Sequence, residues 1–192
     1  MNNYEAVTNS LKTIMEMLHD RKIELSANAA DILTSGYSTR FNKMIFEIII
    51  DDIKLIYYLS PKYKWSELKK NFEDTEENNK YSLHILITKD KISANNMKSI
   101  NELKINIQIF DIKELQFNIT KHVLVPKHEL FINENEITEL LEKYSLKSKF
   151  QLPIILKNDP VAKYFNIKNG DVVKVSRVSP SSGEYITYRC CL

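Results

Sequence analysis

The feature that most constrains this chain is the stretch DPVAKYFNIKNGDVVKVSR, Asp159 to Arg177. The whole chain has only 3 Gly and 5 Pro in 192 residues, yet Pro160, Gly170, Pro180 and Gly183 all fall within or just after this stretch. Asp159-Pro160 reads as a helix start, an Asx cap followed by proline at the first helical position. Asn169-Gly170 supplies residues that tolerate a left-handed backbone, so it is the expected stop of that helix. Val161, Ala162 and Phe165 are its expected buried side. VVKVSRV (172–178) and YITYR (185–189) then alternate as strands around the turn SPSSGE, which predicts a hairpin. A helix, a stop and a hairpin in so little chain describe a compact module without nucleophile or phosphate-loop residues.

Upstream, helix and strand signals alternate. Residues 4–19 place Val7, Leu11, Ile14, Met15 and Leu18 on one helical face, with Asn3 as cap and Asp20-Arg21-Lys22 as stop. A second helix is expected from Ser26 to Gly36 and a short one from Ser66 to Phe72, with Asp74 to Lys80 as loop. MIFEIII and KLIYYL read as two strands joined at Asp51-Asp52. Tyr81–Thr88, Ser93–Leu103 and Ile105–Phe110 read as strand, capped helix and strand, which predicts parallel pairing. Pro126 excludes a central strand at its position. The domain boundary is therefore placed near 120, giving domains 1–120 and 121–192. Asn133 and Glu136 have capping-box spacing ahead of a helix carrying Ile137, Leu140, Leu141 and Tyr144.

Bulk properties exclude several classes. No apolar run reaches the length of a membrane span, and the first residues lack the pattern of a secretory signal. Cys190 and Cys191 are adjacent and have no partner elsewhere, which points to a reducing compartment, cytosol or nucleus. Residues 1–120 carry 16 Lys+Arg against 17 Asp+Glu and residues 121–192 carry 11 against 8, within totals of 27 and 25. Neither part has the dense positive field of an electrostatic nucleic-acid binder.

Candidate chemistry is thin. Asp52-Ile53-Lys54 has the acid-x-Lys spacing of a metal-dependent nuclease strand. Glu67-Leu68-Lys69, Glu102-Leu103-Lys104 and Asp111-Ile112-Lys113 repeat it, as a chain rich in both types does by chance. His122 and His128 lack zinc-helix spacing. Tyr185, Tyr188 and Arg189 suit stacking or a protein contact, the latter being commoner in a hairpin. The residues alone describe a two-domain, non-catalytic α/β protein with no implied metal or cofactor.

Four segments carry a resemblance. NITKHVLVPKH (118–128), LLEKYSLKSKFQLP (140–153), DPVAKYFNIKNGDVVKVSR (159–177) and SGEYITYR (182–189) resemble, in order and spacing, the fifth subunit of eukaryotic RNA polymerases, whose C-terminal part is similar to a small subunit of the archaeal polymerase. MLHDRKI (17–23) and LITKDKISANNM (86–97) extend the likeness more loosely to the front. The resemblance implies an α/β (α+β) fold: an N-terminal nuclease-like but inactive jaw domain with a mixed sheet, then a small assembly domain with a β-hairpin. It implies a non-catalytic role in a DNA-directed RNA polymerase, cellular and nuclear, or viral and found in a virion or cytoplasmic factory. The implied partners are the largest subunit, a nearby small omega-like subunit and downstream duplex DNA.

The implied fold or interface residues are Pro126, His128, Tyr144, Pro153, Asp159, Pro160, Tyr164, Gly170, Arg177, Tyr185, Tyr188 and Arg189. Lys89, Lys91 and Lys98 are the expected phosphate-near residues. Two positions depart from the family pattern. Lys91-Ile92 stand where Thr-Pro is usual. Lys22 stands where a glycine is usual, which predicts a different turn after the first helix. The competing readings are a free-standing nuclease using Asp52 and Lys54, and a transcription-linked adaptor.

Overall fold

The computed structural model describes residues 3–26, 44–60, 72, 80–103, 105–131, 133–179 and 183–192. The expected elements at 27–36 and 66–71, and the loop at 74–79, lie outside these residues. The chain forms two compact units, Met1–Phe117 and Asn118–Leu192. The division falls slightly before the expected position at 120. Asn118 belongs to the second unit because its side chain caps the turn Ile119–Lys121 and donates to Tyr164 Oη at 2.9 Å.

In the first unit, helix α1 (Asn3–Asp20) packs on a four-stranded sheet ordered β1-β2-β3-β4. The strands are β1 (Ile45–Ile50), β2 (Ile53–Tyr58), β3 (Leu83–Thr88) and β4 (Ile107–Asp111). β1 and β2 form the expected antiparallel hairpin, and β2, β3 and β4 run parallel. Helix α2 (Ala94–Asn101) makes the crossover from β3 to β4, and the Ser93 hydroxyl caps it by accepting from Asn96 N–H. β2 and β3 are buried at every position, because helices cover both faces and neither strand needs a polar side.

One face places Ile56, Tyr58 and Leu86 against Ile100 of α2 and Phe72. On the other face the Ser10 and Tyr57 hydroxyls join α1 to the sheet at 2.9 Å. Each buried Ile or Leu of such a core contributes about 1.5–3 kcal/mol relative to exposure. Within α1 the buried methionine is Met17 rather than the expected Met15, and Asn3 already lies inside the helix.

α1 ends in a Schellman motif. Ile23 N–H donates to Leu18 O, Lys22 N–H donates to His19 O, and Lys22 takes φ 59°. The departure at Lys22 therefore leaves a glycine-like turn in place and puts a long side chain in the left-handed conformation. This corrects the expected difference in the turn.

In the second unit a four-stranded sheet is ordered β5-β7-β8-β6. The strands are β5 (Lys127–Phe131), β6 (Ile154–Ile155), β7 (Val172–Ser179) and β8 (Gly183–Cys191). β7 and β8 form the predicted hairpin, antiparallel from Val172↔Cys190 to Ser179↔Gly183. β5 starts directly after Pro126 and lies at one edge, where a missing N–H is harmless. Helix α3 (Glu134–Lys143) covers one sheet face through Ile137 and Leu140 on Val172 and Cys190. Helix α4 (Pro160–Tyr164) covers the other through Ala162, with Ile167, on Val173, Val175 and Cys191. Both cysteines are buried free thiols.

Several local expectations need correction. Asn133 caps α3 through Asn135 N–H, but Glu136 Oε1 accepts from the Asn133 amide instead of closing a reciprocal box. The reciprocal box belongs to Ser148 and Gln151, ahead of the short turn Lys149–Gln151. α4 starts as expected, with Asp159 Oδ1 accepting from Val161 N–H at 2.8 Å and Pro160 following the cap. It stops earlier than expected, however. Asn166 takes the left-handed conformation (φ 53°), and Ile167 N–H closes the helix end on Ala162 O. Gly170 (φ 87°) instead sits third in the turn Lys168–Asp171, and its N–H donates to Cys191 O at 2.9 Å. Phe165 is only partly buried, and Tyr164 takes the interior place.

Candidate subunit interface

Strand register brings together residues that are far apart in the sequence. Successive side chains of a strand alternate faces, and directly paired residues share one. His128 on β5 pairs with Val175, two residues before Arg177 on β7. Arg177 pairs with Tyr185, and Val173 with Arg189. His128, Arg177, Tyr185 and Arg189 therefore occupy the same sheet face, the one that α4 covers only in part.

Asp159 at the start of α4 adds a carboxylate close enough to act on His128, as do the two arginines. Burial dominates and pushes the His128 imidazolium down from its ordinary value, while the bond to Pro126 and the Asp159 charge oppose it. His128 Nδ1–H donates to Pro126 O at 2.7 Å, since a carbonyl can only accept. That bond holds the ring over its own strand and leaves Nε2 as the other polar atom. Arg189 Nη1 donates to Ile154 O at 2.9 Å and so clamps the two-residue strand β6. The arrangement has charges of both signs, aromatic edges and fixed backbone, which suits recognition of a protein surface.

The other expected interface residues divide by role. Tyr164 is buried on Asn118, Gly170 is buried in its turn and Asp159 caps α4, so these three hold the fold. Tyr188 is half-buried with its ring edge-on to Phe131 at 5.3 Å. Tyr144 is the C-terminal cap of α3 and is exposed, as are Pro153 and Pro160. Pro153 also accepts from Cys190 N–H through its carbonyl.

Sequence reading missed a set of exposed apolar side chains on this unit. Val123, Leu124 and Val178 are 92%, 82% and 90% exposed, and Leu130, Phe150, Ile154, Leu156 and Ile186 are exposed as well. The available signal was the apolar run VLV before Pro126, which has neither helical nor strand periodicity to bury it. His122 Nδ1 accepts from Leu124 N–H at 3.2 Å and shapes the turn that presents this run. Exposed apolar side chains on this scale are usual on a surface that another chain covers.

In the first unit, Lys89 and Lys91 lie in the loop after the carboxyl end of β3, and Lys98 lies on α2. Lys91 and Lys98 are exposed, and Lys89 is half-exposed. Asp52 and Lys54 do not come together as a catalytic pair. Asp52 is in the hairpin turn, where its carbonyl accepts from Ser82 N–H at 2.8 Å. Lys54 is buried, its ammonium 3.1 Å from Glu47 Oε2 on the neighbouring strand. Among the described residues no three His, Cys, Asp or Glu side chains group as metal ligands.

Comparison with known proteins gives consistent matches. The family model described as RNA polymerase Rpb5, C-terminal domain, matches residues 117–191. The chain is 34% identical to DNA-directed RNA polymerases I, II, and III subunit rpabc1 of Dictyostelium discoideum, over 94% of each chain. It is 31% identical to the subunit RPABC1 of the same three polymerases in Caenorhabditis elegans, over 93% of this chain and 92% of that one. It is 35% identical to DNA-directed RNA polymerases IV and V subunit 5B of Arabidopsis thaliana, over 55% of this chain and 48% of that one.

Proposed function

The chain belongs to the family of the fifth subunit of eukaryotic DNA-directed RNA polymerases, and from that premise we propose that it is a non-catalytic subunit that docks by its second unit on the largest polymerase subunit. The observation that carries the docking surface is the sheet face where His128, Arg177, Tyr185 and Arg189 converge, on a unit that also exposes Val123, Leu124 and Val178. Such a surface suits a standing interface of roughly 2,000 Å² or more in total. A small omega-like subunit lies nearby.

The first unit forms part of the jaw beside downstream duplex DNA. Lys89, Lys91 and Lys98 meet phosphates there, holding position without reading sequence. The neutral balance of residues 1–120 fits weak, salt-sensitive contact. The working compartment is the nucleus. The pairing of the buried Lys54 ammonium with the more exposed Glu47 carboxylate supports a structural role for the acid-x-Lys strand, in keeping with a jaw that does no chemistry of its own.

Purification of the tagged chain from its native source tests the proposal. The expected result is stoichiometric recovery with the large polymerase subunits. Recovery without them overturns it.

A further inference from the structure

We propose that the outer edge of β8, from Glu184 to Tyr188, accepts an extended backbone strand from a partner polymerase subunit. This rests on the docking reading above and deepens it.

The backbone geometry establishes the open edge. Cys190 N–H donates to Pro153 O at 2.9 Å and Leu192 N–H to Ile155 O at 3.1 Å, both toward β6. Between them Cys191 N–H donates to Asp171 O at 2.9 Å, on the β7 side. Backbone direction alternates along a strand, so the N–H and C=O groups of Tyr188, Ile186 and Glu184 also face away from β7. β6 reaches β8 only at Cys190 and Cys191. β6 runs parallel to β8, and just before Pro153 its chain is wound into the turn Lys149–Gln151. No described strand pairs with the outer side of β8 between Glu184 and Tyr188.

An edge of this length is a hazard in a free protein. Natural edges are blunted with lysine, proline, bulges or a cover. β8 has 9 residues, and GEYITY (183–188) contains neither lysine nor proline. Tyr185 and Ile186 are exposed along it. A strand left in this state is explained if another chain completes the sheet.

The side chains state the partner's chemistry. Ile186 and Tyr188 lie on the α3 face, and Tyr185 and Arg189 lie on the opposite face beside Arg177. The fitting segment is extended, with apolar side chains on the first face and carboxylates on the second. Five residues of β8 offer about 13 Å of ladder at roughly 3.3 Å per residue.

Proline substitution separates backbone pairing from side-chain contact. In Ile186→Pro the lost N–H is one that faces outward, so the β7–β8 ladder is kept. The test incorporates the tagged full-length chain into the native polymerase and compares it with Ile186→Ala, while melting curves monitor the fold. The expected result is at least a tenfold loss of incorporation for Ile186→Pro with wild-type-like melting, and a smaller loss for Ile186→Ala.

Amide exchange on the unaltered chain gives a second reading that needs no variant to fold. The Glu184, Ile186 and Tyr188 amides should exchange quickly in the free subunit and slowly in the assembled polymerase. Full incorporation of folded Ile186→Pro, or equal exchange in both states, overturns the edge assignment alone. If the unaltered chain joins no polymerase, the docking reading falls and the edge assignment with it.

Discussion

Lys54 and His84 stand side by side on the parallel strands β2 and β3, both buried, in the middle of the first unit's sheet. The Lys54 ammonium is 3.1 Å from Glu47 and 5.8 Å from the centre of the Tyr81 ring. Neither ring nitrogen of His84 has a well-formed hydrogen bond among the described residues, and the ring packs edge-on to Phe72 and Tyr81. Burial, and then the Lys54 charge, push the His84 imidazolium below its ordinary value, with the Asn106 backbone and Glu47 opposing more weakly.

This pair predicts acid sensitivity of the first unit. The folded state binds the His84 proton less readily than the unfolded state does. Stability from this group is therefore full above about pH 6.5, the unfolded value. It falls as pH drops below that and levels off once the folded pKa is passed. Chemical denaturation followed by the amide signals of β2 and β3 should show this decline as pH is lowered from neutrality through that value. A His84→Phe variant, which keeps the aromatic packing, should flatten the curve. An unchanged slope in that variant refutes the assignment.

Lys22 predicts a gain. A non-glycine residue at left-handed φ costs roughly 1–2 kcal/mol, while glycine costs about 0.5–1 kcal/mol in unfolded-state entropy. Lys22→Gly should therefore stabilise the chain by about 0.5 kcal/mol, seen as a higher urea midpoint at unchanged slope. Gly170→Ala is the converse. A Cβ there meets only the flexible end of Lys149 at ordinary contact distance, so the backbone penalty less the regained unfolded-state entropy leaves about 0.5 kcal/mol or somewhat more of net destabilisation.

Asp159→Ala removes the α4 cap and leaves Val161 N–H without its acceptor. A cap of this type is worth about 1 kcal/mol. The melting loss should appear in the second unit's signals, while the ring signals of Phe46 and Tyr57, stacked 4.7 Å apart in the first unit, stay in place.

These local devices show what was legible in the sequence. Asp159-Pro160 and Ser93 were readable as caps because each acts on backbone a few residues away. The Asp51-Asp52 hairpin and the β3–α2–β4 crossover were readable because periodicity and short links leave few alternatives. Asn169-Gly170 misled, since a left-handed residue marks a turn without saying which element it ends, and Asn166 had already ended α4. The convergence of His128, Arg177, Tyr185 and Arg189 was out of reach for a different reason. It depends on β5 lying against β7 and on a two-residue strand at the far edge, pairings between distant segments that no local pattern states.

The proposed interface predicts an uneven energy map. Tyr and Arg at the centre of a desolvated surface commonly cost about 2 kcal/mol or more when truncated, and rim residues little. Arg177→Ala and Tyr185→Ala should each lower retention in the polymerase at least tenfold without changing the melting curve. Tyr164→Phe, which deprives Asn118 of its buried partner, should act through stability instead. Loss of retention in proportion to loss of fold in all three variants argues against a direct contact.

The jaw lysines give a test by salt. If Lys89, Lys91 and Lys98 each neutralise a phosphate of downstream DNA, each removal lowers the slope of log affinity against log salt by about 1. Because the contacts carry no sequence information, the loss should be the same for every template. Crosslinking in an elongation complex from positions 89, 91 and 98 should reach duplex DNA. The triple alanine variant should weaken complex retention at about 200 mM salt more for long downstream duplexes than for short ones. Lys91 is the most informative position. It is exposed in the loop after β3, next to Ile92, where the resemblance leads one to expect Thr-Pro, so its charge is the one a return to threonine removes. A Lys91→Thr variant should lower the salt slope by about 1 without losing fold. Unchanged salt dependence there, together with no crosslink from 89 to 98, removes DNA from this chain's partners.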